Sequence, residues 1–203
     1  TSFGHLGLFP EQAPNWDWIA QRVEELNGNK PNVLNMFGYT GGSTLAAASR
    51  GANVTHLDAS KASVTWARKN LESSGLVDCS VRWMVDDIEK FLKREYRRNR
   101  KYDALIMDPP SFGRGPKGEV WSIETQMAEL LTLCKYVLSD TPKFVLLTTH
   151  SPGLSALALK NMMIKFLVRR DSGTFQAGDM SIYDTGSGLH LPNGFYARFS
   201  AGS

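Results

Sequence analysis

Short apolar segments alternate with amphipathic segments along most of the chain, and this alternation most constrains the fold. The strand-like segments are residues 32–36, 53–57, 80–84, 103–107 and 143–149. The helix-like segments are residues 14–27, 43–50, 60–73, 86–98, 122–138 and 154–170. Such alternation is typical of a parallel sheet with helices on both faces. The tail instead predicts an antiparallel hairpin, formed by residues 174–183 and 191–200 around the polar turn 184–188. We therefore predict a doubly wound, Rossmann-like α/β fold with a mostly parallel seven-stranded sheet and a C-terminal antiparallel hairpin.

A chain of 203 residues is long enough for one compact domain with a sizeable core. No apolar run approaches the ~20 residues that span a bilayer, and no signal peptide is visible. The two cysteines, Cys79 and Cys134, fit neither a disulfide framework nor a zinc site. We expect an intracellular, cytoplasmic protein with no metal and no membrane partner. One domain over residues 1–203 is expected, with residues 1–30 as an N-terminal segment and helix. Because the first residue is Thr1, excision from a longer protein and an organellar location stay open.

A glycine-rich turn follows the first predicted strand. Gly38, Gly41 and Gly42 permit positive φ and close approach of a ligand to the backbone. Asp58 ends the second strand, 20 residues after Gly38, where a carboxylate accepts hydrogen bonds from the hydroxyls of a ribose. The spacing is not G-x-G-x-x-G and the turn has no phosphate-binding lysine, which disfavours a dinucleotide site and a P-loop. Taken alone, the turn and the aspartate are compatible with a nucleotide site or with chance.

Five segments in order point to one family. Residues 35–44 resemble the first motif of S-adenosylmethionine-dependent RNA methyltransferases, in which Asn/Asp-x-Phe-x-x-Thr-Gly-Gly replaces the usual acidic-x-Gly-x-Gly. The other similar segments are residues 7–12, Asp58-Ala59-Ser60, Asp86-Asp87-Ile88 and Asp108-Pro109-Pro110-Ser111-Phe112. The chain thus resembles, over nearly its whole length, the ribosomal-RNA large-subunit methyltransferase group of the class I methyltransferases. The resemblance implies S-adenosyl-L-methionine as the cofactor.

The resemblance also implies which residues hold the methionine end of the cofactor and which segment covers it. Residues that would cradle the methionine end through backbone groups are Phe37, Gly38, Tyr39, Thr40 and Gly41. Gln12 belongs to the segment that crosses over the cofactor in that group. Asp108 is implied to border both the cofactor and the acceptor.

The nucleoside part of the cofactor has its own implied residues. Asp58 would hold the ribose, and Ala59 and Ser60 would pack along the ribose and the base. Asp87, with Asp86 as its rival, would accept a hydrogen bond from the adenine amino group. Asp86 at a helix start is equally compatible with a plain N-cap.

The acceptor side is predicted around Asp108-Pro109-Pro110. Methyl transfer from a sulfonium is an in-line displacement, so the protein must hold the nucleophile in line with the breaking bond. Two prolines make the turn rigid, and nearby carbonyls can accept hydrogen bonds from an exocyclic amine. Phe112 would stack on a planar base, and His150 would act as a base or orient the acceptor. The alternatives are a plain rigid loop for the prolines and a structural role for the histidine.

A cysteine nucleophile is missing from its expected place. Carbon methylation of a pyrimidine needs a thiolate that first adds to the ring. Related RNA methyltransferases of that kind carry this cysteine in Thr-x-Ser-Cys-Ser-Gly-Leu, and here Ser151 occupies the position. Cys79, near a strand start, and Cys134, in mid-helix, are predicted to be structural. We therefore expect direct transfer to nitrogen or oxygen, or to a carbon activated in another way.

RNA, most plausibly ribosomal, is the predicted partner. The net charge of +3 permits a polyanionic partner without requiring one. The basic run 89–101 is either a solvated face or an RNA contact, and we expect it to lie away from the cleft. Arg114 and Lys117, in a glycine-rich loop expected to order on substrate binding, are better placed to meet phosphates. A protein or small-molecule acceptor and a non-catalytic cofactor-binding scaffold are the alternatives, and the sequence indicates no oligomeric state.

Overall fold

The computed structural model describes residues 7–114 and 120–202, and the elements below lie within those ranges. The strands are β1 (Asn32–Met36), β2 (Asn53–Asp58), β3 (Val81–Val85), β4 (Ala104–Met107), β5 (Phe112–Arg114), β6 (Val120–Ser122), β7 (Phe144–Thr149), β8 (Gly173–Tyr183) and β9 (His190–Ala201). The helices are α1 (Ala13–Glu24), α2 (Gly42–Ala48), α3 (Lys61–Ser73), α4 (Ile88–Arg97), α5 (Ile123–Val137) and α6 (Ala156–Phe166). Short 3-10 turns occupy Pro10–Gln12 and Arg170–Ser172. None of the described helices combines the length and apolar character that crossing a membrane requires.

Seven of the described strands form one sheet in the order β3-β2-β1-β4-β7-β9-β8. The pairs among β1, β2, β3, β4 and β7 are parallel, and β9 runs antiparallel to both β7 and β8. The predicted fold class is confirmed, including the hairpin at the sheet edge. The order of strands reverses between β1 and β4. At such a switch point the two connections leave in opposite directions, and a crevice opens between them.

The central strands are apolar because helices cover them on both faces. Every residue of β4 and of β7 is buried. One apolar cluster packs the sheet against α4, α5 and α6, and a second packs it against α1 and α2. The core therefore holds the carboxyl ends of β1, β4 and β7 in fixed relative positions, and the cleft is built on those ends.

The observed helices differ from the predicted ones at both ends, and most at the carboxyl ends of α1 (Glu24 instead of residue 27) and α6 (Phe166 instead of residue 170). Helix α4 begins at Ile88 rather than residue 86, because Asp87 Oδ1 accepts a hydrogen bond from Lys90 N at 2.9 Å. Helix α6 begins at Ala156 because Ser155 caps it in the same way, 3.2 Å from Ala158 N. The sequence prediction also missed the antiparallel ribbon of β5 and β6, whose three-residue strands are too short to show alternation.

His56 of β2 is fully buried beneath the turn that follows β1. Its Nδ1 lies 2.9 Å from Thr44 Oγ1, and the same oxygen accepts a hydrogen bond from Asn35 Nδ2 at 2.8 Å. Thr44 Oγ1 therefore links Asn35 of β1 to His56 of β2 beneath the turn. Burial lowers the pKa of His56 to about 4, so the ring is neutral at pH 7.

We predict that His56→Gln makes the free energy of unfolding less dependent on pH between about 4 and ~6.5. The unfolded chain binds the histidine proton near pH ~6.5, whereas the folded chain binds it only near about 4. The contribution of the neutral ring is therefore complete above pH ~6.5 and is lost as the pH falls toward ~4, by roughly 3 kcal/mol. Urea unfolding of both proteins at several pH values in this window measures the difference. A wild-type minus variant difference that stays constant with pH would contradict the assignment.

Candidate functional site

A cleft of about 1050 Å³ opens at the carboxyl ends of β1, β2 and β4, where the strand order reverses. The predicted site residues that line it are Gln12, Phe37, Gly38, Tyr39, Thr40, Gly41, Asp58, Ala59, Ser60, Asp87, Asp108, Pro109, Pro110 and His150. Asp86 and Phe112 are predicted site residues that do not line it. The fold thus gathers both halves of the predicted site into one cavity.

The turn after β1 has an unusual backbone. Phe37, Tyr39 and Gly41 have φ values of 57°, 45° and 95°, all in the left-handed region. For residues other than glycine this conformation costs of order 1–3 kcal/mol, and such strain is concentrated at ligand sites. A Cβ at Gly38 would lie 2.5 Å from His56 Cε1, so only glycine lets the turn pack directly onto β2. Gly38 N donates to Leu57 O at 3.1 Å, which fixes that contact.

Asp58, at the end of β2, accepts hydrogen bonds from two backbone N–H groups, one in the turn after β1 and one just before α3. Its Oδ2 accepts from Tyr39 N at 2.9 Å, and its Oδ1 accepts from Ser60 N at 2.8 Å. Burial raises the pKa of Asp58, and these two backbone hydrogen bonds oppose the rise. Each oxygen keeps a second lone pair, so the carboxylate can accept further hydrogen bonds from a ligand in the cleft.

Two adjacent aspartates after β3 have different roles in the structure. Asp87 lines the cleft and caps α4, so the suggestion that Asp86 is the N-cap is wrong. Asp86 Oδ2 pairs with Arg94 Nη1 at 2.6 Å, and Asp86 Oδ1 accepts from Asp87 N at 2.9 Å. These partners turn the Asp86 carboxylate toward α4 instead of the cleft.

Asp108 follows β4 on the opposite wall of the cleft. Its Oδ2 accepts from Gln12 Nε2 at 3.2 Å, and the same Gln12 nitrogen lies 3.2 Å from Thr148 Oγ1. Burial raises the pKa of Asp108, while the nearby His150 and the hydrogen bonds from Thr148 and Gln12 oppose the rise. Asp108 Oδ1 is buried and has no hydrogen-bond partner in the described part of the chain.

An aromatic residue that the sequence did not indicate lies beside Asp108. Trp121 of β6 lines the cleft, and its Nε1 donates to Pro110 O at 2.8 Å. Its ring centroid lies 6.2 Å from that of Phe37. Phe112 was predicted for this place, but it is exposed and outside the cleft, because Gly113 is the β5 residue that faces the cavity and side chains alternate along a strand. Lys117 and the Arg114 side chain lie outside the described part of the structure.

His150, after β7, is held by a buried carboxylate. Its Nε2 lies 2.9 Å from Glu11 Oε1, and its Nδ1 lies 3.8 Å from Asp108 Oδ1. Glu11 is 2% exposed, and Asn193 Nδ2 donates to the same Oε1 at 2.6 Å. If Nε2 donates to Glu11, Nδ1 carries the lone pair that faces Asp108. Sequence reasoning missed Glu11, although an acid inside an otherwise apolar N-terminal segment was a usable signal.

The N-terminal segment contacts both walls of the cleft. Thr40 Oγ1 donates to Gly7 O at 2.6 Å on the side of the glycine turn. The Phe9 ring lies 5.9 Å from the Tyr39 ring and 5.3 Å from the His150 ring, measured between centroids. The segment therefore lies across the opening between the two halves of the cleft.

The cysteines are remote from the cleft. Cys134 is fully buried on α5, with its Sγ 3.9 Å from Met36 Sδ and 3.8 Å from Met107 Sδ, and burial raises the pKa of its thiol. Cys79 precedes β3 at the amino edge of the sheet, opposite the cleft. Ser151 is 3% exposed, and its backbone N donates to Thr149 Oγ1 at 3.1 Å.

The cleft suits an organic cation with several hydrogen-bonding groups. Tyr39 Oη and Asp108 Oδ1, one on each wall, are buried without a hydrogen-bond partner among the described residues. Asp58 and Asp108 line the cleft without a Lys or Arg partner in that same part of the chain. Within residues 7–114 and 120–202 no group of three His, Cys, Asp or Glu side chains has the geometry of a metal site.

Comparison with known proteins identifies relatives of the chain. Residues 13–132 match the family described as conserved hypothetical protein 95. The chain is 31% identical over 205 residues to ribosomal RNA large subunit methyltransferase I of Aeromonas salmonicida, covering 96% of this chain and 48% of the relative. It is 33% identical over 133 residues to ribosomal RNA large subunit methyltransferase K/L of Shewanella frigidimarina, covering 64% of this chain and 18% of the relative.

A solved structure agrees with these relatives. The crystal structure of the SAM-dependent methyltransferase from Agrobacterium tumefaciens superposes with a TM-score of 0.89 at 36% identity, covering 98% of this chain and 65% of that one. The chain thus spans half or less of the two curated relatives and about two thirds of the solved structure. The resemblance seen in the sequence is confirmed. The chain belongs to the conserved hypothetical protein 95 family, and it is similar to class I S-adenosylmethionine-dependent methyltransferases of the ribosomal RNA large-subunit group.

Proposed function

We propose that the chain binds S-adenosyl-L-methionine in this cleft and transfers its methyl group to a base of ribosomal RNA by direct in-line displacement. The observation that carries the proposal is that one cavity holds Asp58, which has lone pairs free for a ligand, and the buried, unpartnered Asp108 Oδ1. Asp58 is suited to bind the methyl donor, and Asp108 is suited to bind the methyl acceptor. When bound, the cofactor would supply an electrophilic methyl group on its sulfonium, with the neutral thioether as the leaving group.

The donor half would hold the nucleoside through two carboxylates. Asp58 would accept hydrogen bonds from the ribose hydroxyls while keeping its bonds to Tyr39 N and Ser60 N. Asp87 uses Oδ1 to cap α4, which leaves Oδ2 to accept from the adenine amino group. Asp86 is the weaker candidate, because Arg94 already engages its carboxylate.

The acceptor half would hold a planar base and take its hydrogen bonds. Trp121 offers an aromatic surface beside Asp108, and bases stack well on such rings. Asp108 Oδ1 would accept a hydrogen bond from an N–H group of the base and fix its orientation. His150 Nδ1, oriented through Glu11, would take the proton that the nucleophile loses. The base class is favoured over a protein side chain by this flat, aromatic wall.

The donor half can be tested with two aspartates that end neighbouring strands. Asp58→Ala is expected to weaken S-adenosylmethionine binding about 10- to 100-fold, because bonds to a charged acceptor are lost. Asp87→Asn keeps the helix cap but turns the free oxygen into a donor, so it should also weaken binding. Asp86→Asn is the matched control and should bind normally. Isothermal titration calorimetry on the three variants decides the assignment, and a normal Asp58→Ala affinity would refute it.

The acceptor half can be tested by methyl transfer. Asp108→Asn is expected to lower the transfer rate about 10²-fold or more while cofactor affinity is kept. Because burial raises the pKa of Asp108, the acid limb of the wild-type rate should lie above the usual aspartate range. Labelled methyl transfer to ribosomal RNA from cells that lack the protein measures both. Label found only in protein or small molecules would refute the RNA acceptor, and cofactor binding without any transfer would indicate a scaffold.

Chemistry without a cysteine predicts that both thiols are dispensable. Cys79→Ser combined with Cys134→Ala should retain methyl transfer per folded molecule, because neither thiol faces the cleft. Since Cys134→Ala leaves a cavity in the core, its rate is normalised to the fraction of folded protein, obtained by circular dichroism. A stable covalent adduct with RNA that contains 5-fluoropyrimidines, lost in the double variant, would instead establish a thiolate mechanism.

A further inference from the structure

The positive charge of the chain is concentrated in one segment. Residues 88–101 contain seven of the 23 Lys and Arg residues but two of the 20 Asp and Glu residues. The remainder therefore has 16 basic and 18 acidic residues, so this segment alone makes the chain basic. Helix α4 and the residues that follow it form this segment, and its basic side chains are exposed except for the half-buried Arg94.

A buried glutamate organises the end of this segment. Glu95 is fully buried, with Oε2 2.7 Å from the Tyr102 hydroxyl and 3.1 Å from Arg82 Nη1. Arg98 and Arg100 approach the same carboxylate at 3.6 Å and 3.9 Å. The charge of Glu95 is thus already compensated, and the surface above it stays positive. A favourable interaction with the helix dipole accounts for cations in the last turn of α4, but not for those at residues 98–101.

Helices α4 and α5 meet along a surface that starts at the cleft, which corrects the expectation that the basic run lies away from it. We call this surface the α4–α5 seam and define it by Lys90, Lys93, Tyr96 and Arg97 of α4 with Glu129, Leu133 and Tyr136 of α5. At one end Lys90, Lys93, Glu129 and Leu133 line the cleft. The stretch from Lys90 to Arg97 covers about 10 Å of helix.

Two exposed tyrosines lie farther along the seam. The Tyr96 and Tyr136 rings are 4.9 Å apart, and the two residues are 56% and 47% exposed. Arg97 follows on α4, and Lys101 reaches across to α5, with its Nζ 3.3 Å from Leu138 O. Glu129 of the seam and the neighbouring Glu89 both lie at the cleft end, where Glu89 bonds Lys93. The far end therefore presents aromatic faces beside cations that pair with no carboxylate among the described residues.

We propose that the α4–α5 seam binds a single-stranded segment of RNA that continues from the base held in the cleft. Exposed aromatic rings interleaved with cations are the features with which proteins hold single strands, by stacking and by phosphate contacts. The segment's positive charge complements a polyanion, and its continuity with the cleft places the bound strand next to the acceptor. This inference rests on the proposed function, because the seam would bind the continuation of an RNA whose base lies in the cleft.

Equilibrium binding to a fluorescein-labelled single-stranded RNA of about 12 nucleotides tests the seam. Arg97→Gln with Lys101→Gln should weaken binding about tenfold at moderate salt and flatten the slope of log K against log salt by about 1 or more. Lys165→Gln with Arg170→Gln removes two exposed cations near the end of α6 and should bind as wild type. Equal weakening by both pairs would overturn the proposal.

Ring variants test stacking apart from charge. Tyr96→Leu with Tyr136→Leu should weaken binding about 5- to 100-fold with an unchanged salt slope, whereas Tyr96→Phe with Tyr136→Phe should bind normally. Tighter binding of the matching RNA duplex than of the single strand would also overturn the proposal. All variants should bind S-adenosylhomocysteine as wild type does. If wild type fails to bind it, the proposed function fails; if it binds and the seam variants have no effect on RNA, this inference alone fails.

Discussion

The contact between the turn after β1 and the buried ring of His56 is the constraint on which the cleft depends. Gly38 lies against that ring with no room for a Cβ, and Phe37 and Tyr39 on either side of it take left-handed backbone conformations. Asp58 completes the arrangement because its Oδ2 accepts from Tyr39 N. The strained turn is thus held from below by a neutral imidazole and from the side by a carboxylate. A charged imidazole at this place would be costly, because it would be buried under the turn. The lowered pKa of His56 therefore matters for the shape of the site as well as for the stability of the fold.

The donor half of the site was predictable because its residues follow the order of the strands. Gly38, Asp58 and Asp87 each lie at the end of a strand or within two residues of it, and carboxyl ends of parallel strands meet at one edge of a sheet. The alternation of apolar and amphipathic segments was therefore enough to bring them together. The sequence could not decide between Asp86 and Asp87. That choice depends on which carboxylate accepts from Lys90 N and which one pairs with Arg94.

The acceptor half was less predictable because it is assembled from segments far apart in the chain. Glu11, Asp108 and His150 belong to the N-terminal segment, the loop after β4 and the end of β7, and Asn193 of the terminal hairpin joins them. No periodicity of the sequence connects such positions. For a similar reason, the sequence predicted Phe112 where the structure has Trp121. Which side chain points into the cleft depends on the register of the short β5–β6 ribbon, and the sequence does not show that register.

Charge is divided between the two surfaces that the function requires. The carboxylates of Asp58 and Asp108 line the cleft with no Lys or Arg partner among the described residues, and a cationic ligand would offset the cost of burying them. The far end of the α4–α5 seam is positively charged. The buried Glu95 pairs with Arg98 and Arg100, which lie outside the seam. In the proposed function, a cationic donor and a polyanionic acceptor would thereby be drawn to adjacent places. Lys90 and Lys93 lie where the two surfaces meet, because they line the cleft and belong to the seam. In the proposed function they would face phosphates at the edge of the cleft, while the carboxylates of Asp58 and Asp108 stay available for the cationic donor.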